Sequence, residues 1–285
     1  MRIVVTGASG RVGSATVREL VSRGHIVVAV DVRPPASTTS GAVWHRGDVL
    51  DPSFLTRAFE GCDVLINVAG YNHPTTEKPW DAYGVNVLGS FTSMHVAART
   101  GITRSVHASS ASALGFAWAS SPHQPHYLPI DHAHPAEPAD HYGLSKLATE
   151  LSAQSLCREF DHAAIAIRFP QAVDDTSLAL QVAAVDRDPA AGVPLRDFWS
   201  YIHIDDIARA FADAAESSAP GFELVTVVAP DTLSRRDTEA LIADHYPGVP
   251  LRRRIEGRAP AWDLTDAHRV LGRLPTISWM DREAS

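Results

Sequence analysis

The stretch that decides the fold is Ile3-Val4-Val5-Thr6-Gly7-Ala8-Ser9-Gly10-Arg11-Val12-Gly13. Three apolar residues in a row read as a parallel strand buried on both faces. Glycines at 7, 10 and 13 follow at once. Val12, Thr16, Val17, Leu20 and Val21 then recur at helical spacing until Gly24 stops them. Glycine permits a turn too tight for a Cβ and lets the backbone approach a pyrophosphate. The helix N-terminus behind it offers free N–H donors and a partial positive charge. Alone the pattern is weak. Its setting, with a strand before, a helix after and an acid at the tip of the next strand, is what dinucleotide binding requires. That acid is Asp31, which ends Ile26–Val30 and lies 18 residues after Gly13. A carboxylate there accepts both hydroxyls of the adenosine ribose and repels a 2′-phosphate, which favours NAD over NADP. Arg11 and Arg33 stand near enough to offset this in part, arginine being the usual phosphate partner.

Outward from this turn the same rhythm repeats. Asp51 and Pro52 open a helix with Phe54, Leu55, Ala58 and Phe59 on one face and Gly61 at its end. Val64 to Val68 is a strand, and Trp80, Tyr83, Val87, Phe91, Met94 and Ala98 mark one long helix. Ile102 to Ser109 is a strand, residues 141–158 a helix, and Ala163 to Arg168 a strand. Strands apolar on both faces alternating with helices predict an α/β doubly wound parallel sheet of the Rossmann type. The rhythm loosens after Arg168. A helix is expected over Leu178 to Val185, another over Asp205 to Ala215, a strand over Phe222 to Val228, and a helix over Ser234 to His245 with Ser234 and Asp237 as a capping box. The expected organisation is a cofactor domain over 1–168, with 201–228 packing back onto it, and a small C-terminal substrate lobe over 169–285.

Composition narrows the class. The 285 residues are 45% hydrophobic and 20% charged, which suits a globular domain and not a disordered chain or a rod. The formal net charge is -8, against a nucleic-acid or anionic-membrane surface. No apolar run approaches the roughly 18 residues of a spanning helix, and the chain enters its first strand without a signal-peptide core. Cys62 and Cys157 are too few for a disulfide framework, so the expected location is the cytoplasm.

A second constellation is Tyr142-Gly143-Leu144-Ser145-Lys146 on a predicted helix. Four residues make about one turn, a rise of ~6 Å, so tyrosine and lysine share a face. Bringing a phenol that ionises near ~10 down to neutrality takes about 4 kcal/mol. One ammonium about 4 Å away, at an effective dielectric near 20, supplies an attraction of that size. A positive nicotinamide ring would add to it. The pair is thus a proton acceptor for an alcohol about to lose hydride. Ser109-Ser110-Ala111-Ser112 follows the strand Val106-His107-Ala108 at its carboxyl end, where ligands of open α/β sheets bind, and a hydroxyl there can hold the substrate oxygen.

Taken in order, TGASGRVG (6–13), GDV (47–49), NVAG (67–70), SSASALG (109–115), YGLSK (142–146) and YIHIDDIA (201–208) resemble the extended short-chain dehydrogenase/reductase superfamily, in its NAD-dependent epimerase/dehydratase group. The match spans residue 1 to about 215. The resemblance implies Ser110, Tyr142 and Lys146 as the catalytic set. It implies a cofactor groove from Gly7, Ser9, Gly10, Arg11, Val12 and Gly13, with Asp31 and Arg33 at the ribose and Asp48 and Val49 beside the adenine. Val68, Ala69, Gly70, Ala108 and Pro170 line the rest, and Tyr142 and Lys146 also touch the nicotinamide end. Ser110, Ala111, Ser112, Tyr142 and Gln171 are the implied substrate contacts. Ala111 and Gly115 fit the family's pattern, while Leu114 replaces its usual aromatic. Pro170-Gln171 stands where nucleotide-sugar enzymes have an asparagine, and this weakens that substrate class. Relatives of this kind commonly pair through two long helices per subunit, so a homodimer is implied.

His123, His126, His132, His134 and His141 crowd one Pro-rich loop. With no helix to align them and no metal in the implied chemistry, they read as a polar loop over the cleft, and no metal is expected. His203 and Asp206 read as fixing the boundary between the lobes, and Arg252-Arg253-Arg254 as a solvated edge. The expected function is hydride transfer between NAD and a secondary alcohol or ketone of a small polar, sugar-like or secondary-metabolite substrate, with Tyr142 as acid and base. The alternative is an NAD-retaining sugar or nucleotide-sugar epimerase or dehydratase using the same three residues. Chain length favours the former, since only about 115 residues follow Arg168. A regulator that senses NAD(H) without turnover would carry a damaged tyrosine–lysine pair, and here the pair is intact.

Overall fold

The computed structural model describes residues 1–35, 41–74, 77–120, 123–190 and 192–283. Its strands in chain order are β1 (Arg2–Thr6), β2 (Ile26–Asp31), β3 (Ala42–Arg46), β4 (Val64–Asn67), β5 (Arg104–Ala108), β6 (Ala163–Arg168), β7 (Ala172–Val173), β8 (Ile202–His203) and β9 (Phe222–Thr226). Seven of them form one sheet in the order β3-β2-β1-β4-β5-β6-β9, every pair parallel. β7 and β8 pair separately. The order reverses beside β1, and this switch point is where a doubly wound sheet opens a crevice at its carboxyl edge.

The helices are α1 (Arg11–Ser22), α2 (Pro52–Ala58), α3 (Pro79–Gly84), α4 (Ser90–Arg99), α5 (His141–Glu159), α6 (Asp175–Arg187), α7 (Gly192–Arg196), α8 (Ile204–Glu216), α9 (Thr238–His245), α10 (Thr265–Leu271) and α11 (Trp279–Glu283). On one face of the sheet, α1 and α8 close a core of Val5, Val17, Leu20, Ile66, Ile167 and Phe211. On the other, Val4, Val28, Leu65, Phe59 and Ile102 pack together. A further core joins Leu114, Phe116, Leu128 and Ile130 to Val182, Phe198, Trp199, Tyr201, Trp262 and Trp279. It places the segment after β5 against the C-terminal third of the chain.

One strand was not foreseen and two local expectations are corrected. The edge strand β3 escapes the apolar-run criterion because Val43 and its neighbours are half exposed, as an edge permits. The long helix of residues 80–98 is interrupted by a π turn at Val85–Gly89, and its expected stripe does not all face inward: Met94 is buried but Trp80 is 70% exposed. The helix expected from Ser234 begins only at Thr238. Asp237 is its N-cap without a side-chain bond, and the Ser234 hydroxyl instead accepts from Arg236 N in a preceding turn, so there is no capping box.

Candidate active site

Gly7 adopts φ +71, and a Cβ there would lie 2.6 Å from Ala69 N. A Cβ on Gly13 would lie 2.1 Å from Gly7 O, so α1 can begin this close to β1 only with glycine. Gly10 N donates to Gly7 O at 3.0 Å and is the N-cap of α1 with no side chain over it. The turn is therefore a backbone cradle at a helix N-terminus, and it fits a dinucleotide pyrophosphate. Gly70 lies close by, where a Cβ would strike Asn86 Oδ1 at 2.5 Å.

Asp31 closes one end of this cradle. It is 8% exposed, accepting Ser9 N at 3.0 Å on one carboxyl oxygen and Arg33 N at 2.9 Å on the other. The Ser9 hydroxyl donates to Arg33 O at 2.9 Å, while the Arg33 guanidinium is mostly in solvent, 3.7 Å from Asp31. Arg11 turns away to the far side of the mouth, donating to Asp174 and Ser177 at the start of α6, both at 3.1 Å. Asp48 is exposed and receives Leu50 N; Val49 is buried beneath Gly89, and Val68 and Ala69 are half buried.

At the other end, α5 runs past the carboxyl tip of β5. Lys146 Nζ donates to Ala108 O at 3.0 Å and stands 5.6 Å from the centre of the Tyr142 ring. Ser110 caps the short 3₁₀ turn Ala111–Leu114, its hydroxyl accepting Ser112 N at 3.1 Å, and it also reaches the Tyr142 hydroxyl. The structure thus gathers Ala108, Ser110, Ala111, Ser112, Tyr142 and Lys146 at one place. Pro170 is buried. Gln171 is exposed, its carbonyl accepting Ile202 N at 3.1 Å, and no hydrogen bond joins it to Ser110 or Tyr142.

The electrostatics differ from the sequence expectation. Burial pushes the Tyr142 phenol up to about 12, and the Ser110 hydroxyl opposes this without cancelling it. Burial also brings Lys146 down to about 8, with Glu150 pulling the other way. The ammonium is held by the Ala108 carbonyl, 5.6 Å from the ring centre, and does not by itself make a base of the phenol. Lowering Tyr142 into the working range falls to charge and hydrogen bonds arriving with cofactor and substrate.

Several residues of the site were not singled out in the sequence. Asn86, in the π turn, donates to Ser145 Oγ at 3.0 Å and accepts Tyr71 N at 2.8 Å, tying α5 to the loop after β4. Its placement within a NVLG segment carries no local signal. Glu150, one turn beyond Lys146, is bound by Arg168 and by the Ser109 hydroxyl.

The histidines disperse. His126 and His132 pair with Glu137 and Asp266, at 3.2 and 2.7 Å, and His134 accepts His126 N. Among the described residues no three His, Cys, Asp or Glu side chains gather as a metal-binding group. Arg252 stacks on Tyr127, and Arg253 pairs with Asp263. His203 caps α8, accepting Asp205 N, and faces Asp175 at the start of α6. Asp206 accepts Thr276 N and Ile277 N. Among the described residues no helix is long and apolar enough to cross a membrane.

A doubly wound sheet with a glycine cradle at its switch point and Ser, Tyr and Lys at the next strand tip defines a dinucleotide-dependent enzyme class. The profile of the NAD dependent epimerase/dehydratase family matches residues 3–174, and the chain belongs to that family. It is an NAD-dependent enzyme of the extended short-chain dehydrogenase/reductase type. Human UDP-glucose 4-epimerase is 27% identical over 257 residues, covering 73% of this chain and 71% of the epimerase. Among solved structures, MoeE5 in complex with UDP-glucose and NAD superposes with a TM-score of 0.71 at 22% identity, over 100% of both chains. A short-chain dehydrogenase/reductase superfamily protein from Agrobacterium tumefaciens with bound NAD gives 0.75 at 22% identity, over 100% of this chain and 96% of that one. The relatives favour the epimerase alternative over the dehydrogenase reading put first in the sequence.

Proposed function

We propose that this protein is an NAD-retaining epimerase of a sugar, with a UDP-hexose as the substrate class. The carrying observation is the meeting of Tyr142, Ser110 and Lys146 at the tip of β5 in a family whose curated relatives include UDP-glucose 4-epimerases. NAD, when bound, accepts a hydride and gives it back. In this reading Tyr142 takes the proton of a ring hydroxyl and later returns it, so the phenol ends each cycle as it began. Ser110 holds the same oxygen. Lys146, fixed by Ala108 O, supplies the positive charge that favours the phenolate and a hydrogen bond to the nicotinamide ribose. The cradle from Gly7 to Gly13 takes the pyrophosphate, Asp48, Val49, Val68, Ala69 and Gly70 flank the nucleotide, and Pro170 closes the groove.

Asp31 supports NAD over NADP, since its buried carboxylate occupies the ribose end and Arg11 is engaged elsewhere. Exposed Leu88, Phe91, Leu144 and Leu151 on the helices around α4 and α5 support a homodimer through these elements. Two unpaired cysteines support a reducing cytoplasm.

The test is to incubate the purified holoenzyme with UDP-glucose and follow UDP-galactose and NADH together. Conversion without NADH accumulating, lost in Tyr142→Phe with NAD still bound, is expected. Sugar oxidation with matching NADH would instead establish a dehydrogenase and overturn the epimerase assignment.

A further inference from the structure

The arginine run 252–254 has no task in the chemistry assigned to Ser110, Tyr142 and Lys146. Its three members take three different positions. Arg252 stacks on the Tyr127 ring, 3.1 Å from its centre, and faces Asp131 at 3.6 Å. Arg253 pairs with Asp263 at 3.1 Å. Arg254 is exposed, and its guanidinium has neither an ion pair nor a hydrogen bond among the described residues.

Arg254 stands on the rim of a cleft of about 490 Å³. That size lies within the range of small-ligand sites, roughly 300–1,000 Å³. The inside of the cleft is apolar. Pro129, Ile255 and Trp262 are buried there, and Pro260, Leu264 and Leu274 are half-buried. Trp262 Nε1 directs its proton inward to Ser200 Oγ at 2.8 Å, so the tryptophan adds apolar surface to the cleft. The exposed side chains of Arg253, Arg254, Glu256, Thr265 and His268 make the rim.

Backbone hydrogen bonds hold the cleft in shape. Leu128 N donates to Pro250 O at 2.9 Å, and Arg252 N donates to Leu128 O at 2.7 Å. Ile130 N donates to Ala261 O at 3.0 Å, and Asp263 N donates to Ile130 O at 2.7 Å. The segment around Pro129 thus ties the arginine run to the stretch that carries Trp262. No residue lining the cleft belongs to the glycine cradle or to the set at Ser110, Tyr142 and Lys146.

We propose that this cleft is a second ligand site, separate from the catalytic one, for a small molecule with an apolar body and a single carboxylate, such as an aryl carboxylic acid. The apolar interior takes the body, whose removal from water is the driving force. The planar fork of Arg254 matches a carboxylate with two parallel N–H···O bonds. Arg253 is already neutralised by Asp263, which leaves Arg254 to meet one negative charge. Glu256 on the same rim repels a second one, and this disfavours phosphates and dianions. The chain's net charge of -8 repels anions in general, so binding of this kind depends on the local cation. The assignment stands whether or not the substrate is a sugar.

Calorimetric titration of the NAD-loaded protein with 1-naphthoate and with its neutral analogue 1-naphthamide tests the site in wild type, Arg254→Gln and Arg252→Gln. Both substitutions fall on exposed side chains, so the fold is kept. Wild type is expected to bind naphthoate at one saturable site, about five- to tenfold more tightly than the amide, as charge-assisted hydrogen bonds imply. Arg254→Gln should abolish that preference, and Arg252→Gln, outside the cleft, should preserve it. Saturating UDP-glucose should leave the naphthoate affinity unchanged. Equal affinity for acid and amide in wild type overturns the proposal, as does a preference that survives Arg254→Gln or is lost equally in Arg252→Gln. Displacement of naphthoate by UDP-glucose would put it in the catalytic cleft and overturn the proposal too. So would the lack of saturable binding at millimolar naphthoate.

Discussion

Glu150 and Arg168 form a two-pronged buried ion pair, with Arg168 Nε and Nη2 donating to the two carboxylate oxygens at 2.8 and 2.7 Å. The pair joins the end of β6 to α5 one turn beyond Lys146, and the Ser109 hydroxyl completes it from β5. The segment after β5 that carries Ser110 and the helix α5 that carries Tyr142 and Lys146 are thereby tied to the end of β6. Glu150 is also the charge that holds the Lys146 ammonium up against burial.

Removing one partner should therefore cost more than removing both. Glu150→Gln leaves the Arg168 guanidinium, 4% exposed, without its counter-charge, and a loss of about 3–5 kcal/mol is expected. The double variant Glu150→Leu with Arg168→Leu should recover much of that stability while lowering turnover, because Lys146 loses its neighbouring charge. Urea unfolding of the single and double variants checks this. Additive losses would show that the two residues act independently.

The glycine cradle makes a contrasting pair of predictions. Gly13→Ala must place a methyl group 2.1 Å from Gly7 O, so backbone has to move, and a cost of about 3 kcal/mol with lost NAD binding is expected. Gly84→Ala, at helical φ -59 and with nothing within 4 Å, should stabilise by about 0.5–1 kcal/mol and leave NAD binding alone. Chemical denaturation and NAD titration of both variants separate the outcomes. A Gly13→Ala protein that still binds NAD normally would exclude the cradle as the pyrophosphate site.

How much of this was legible beforehand follows from where each signal resides. β1, β2, β4 and β6 declare themselves because both faces are buried and their sequences carry apolar runs, whereas β5 is buried too but with Ser105 and His107 inside it. The glycine turn and the Tyr142–Lys146 pair are local in sequence and were equally readable. β3 was not, since an edge strand with half-exposed Ala42, Trp44 and His45 needs no apolar run. Asn86 was hidden because its importance comes from a π turn inside a helix, which residue periodicity does not announce. Tyr142 misled in sign: helical spacing gave the right neighbour, but burial of the phenol outweighs that neighbour and is a tertiary property.

Cofactor preference should respond to one carboxylate. Asp31→Ala removes the group that accepts Ser9 N and Arg33 N and leaves the exposed Arg33 guanidinium nearby. NAD affinity should fall about tenfold or more, the worth of hydrogen bonds to a charged group. NADP affinity should rise as repulsion of the 2′-phosphate disappears. Fluorescence titrations with both cofactors measure the ratio, and an unchanged ratio would remove Asp31 from the specificity argument.

Lys146 links the site to stability through pH. Burial holds it at about 8, below the ordinary lysine value of 10.5. Below pH 8 the ammonium is charged in folded and unfolded chains alike, and its desolvation weighs fully on the fold. Between pH 8 and 10.5 the folded chain gives up the proton while the unfolded chain keeps it. The unfolded state then binds more protons, so this group's contribution to stability rises with pH. Lys146→Met fills the same space without the charge and lacks that dependence. The variant's advantage over wild type should be largest below pH 8 and shrink by about 3 kcal/mol on reaching pH 10.5. Turnover of the wild type should decline over the same interval, as the charge favouring the Tyr142 phenolate is lost. Urea unfolding of both proteins at pH 7, 8, 9 and 10 provides the measurement. A difference that does not vary with pH would mean that Lys146 ionises like a lysine in water, and its role beside Tyr142 would have to be abandoned.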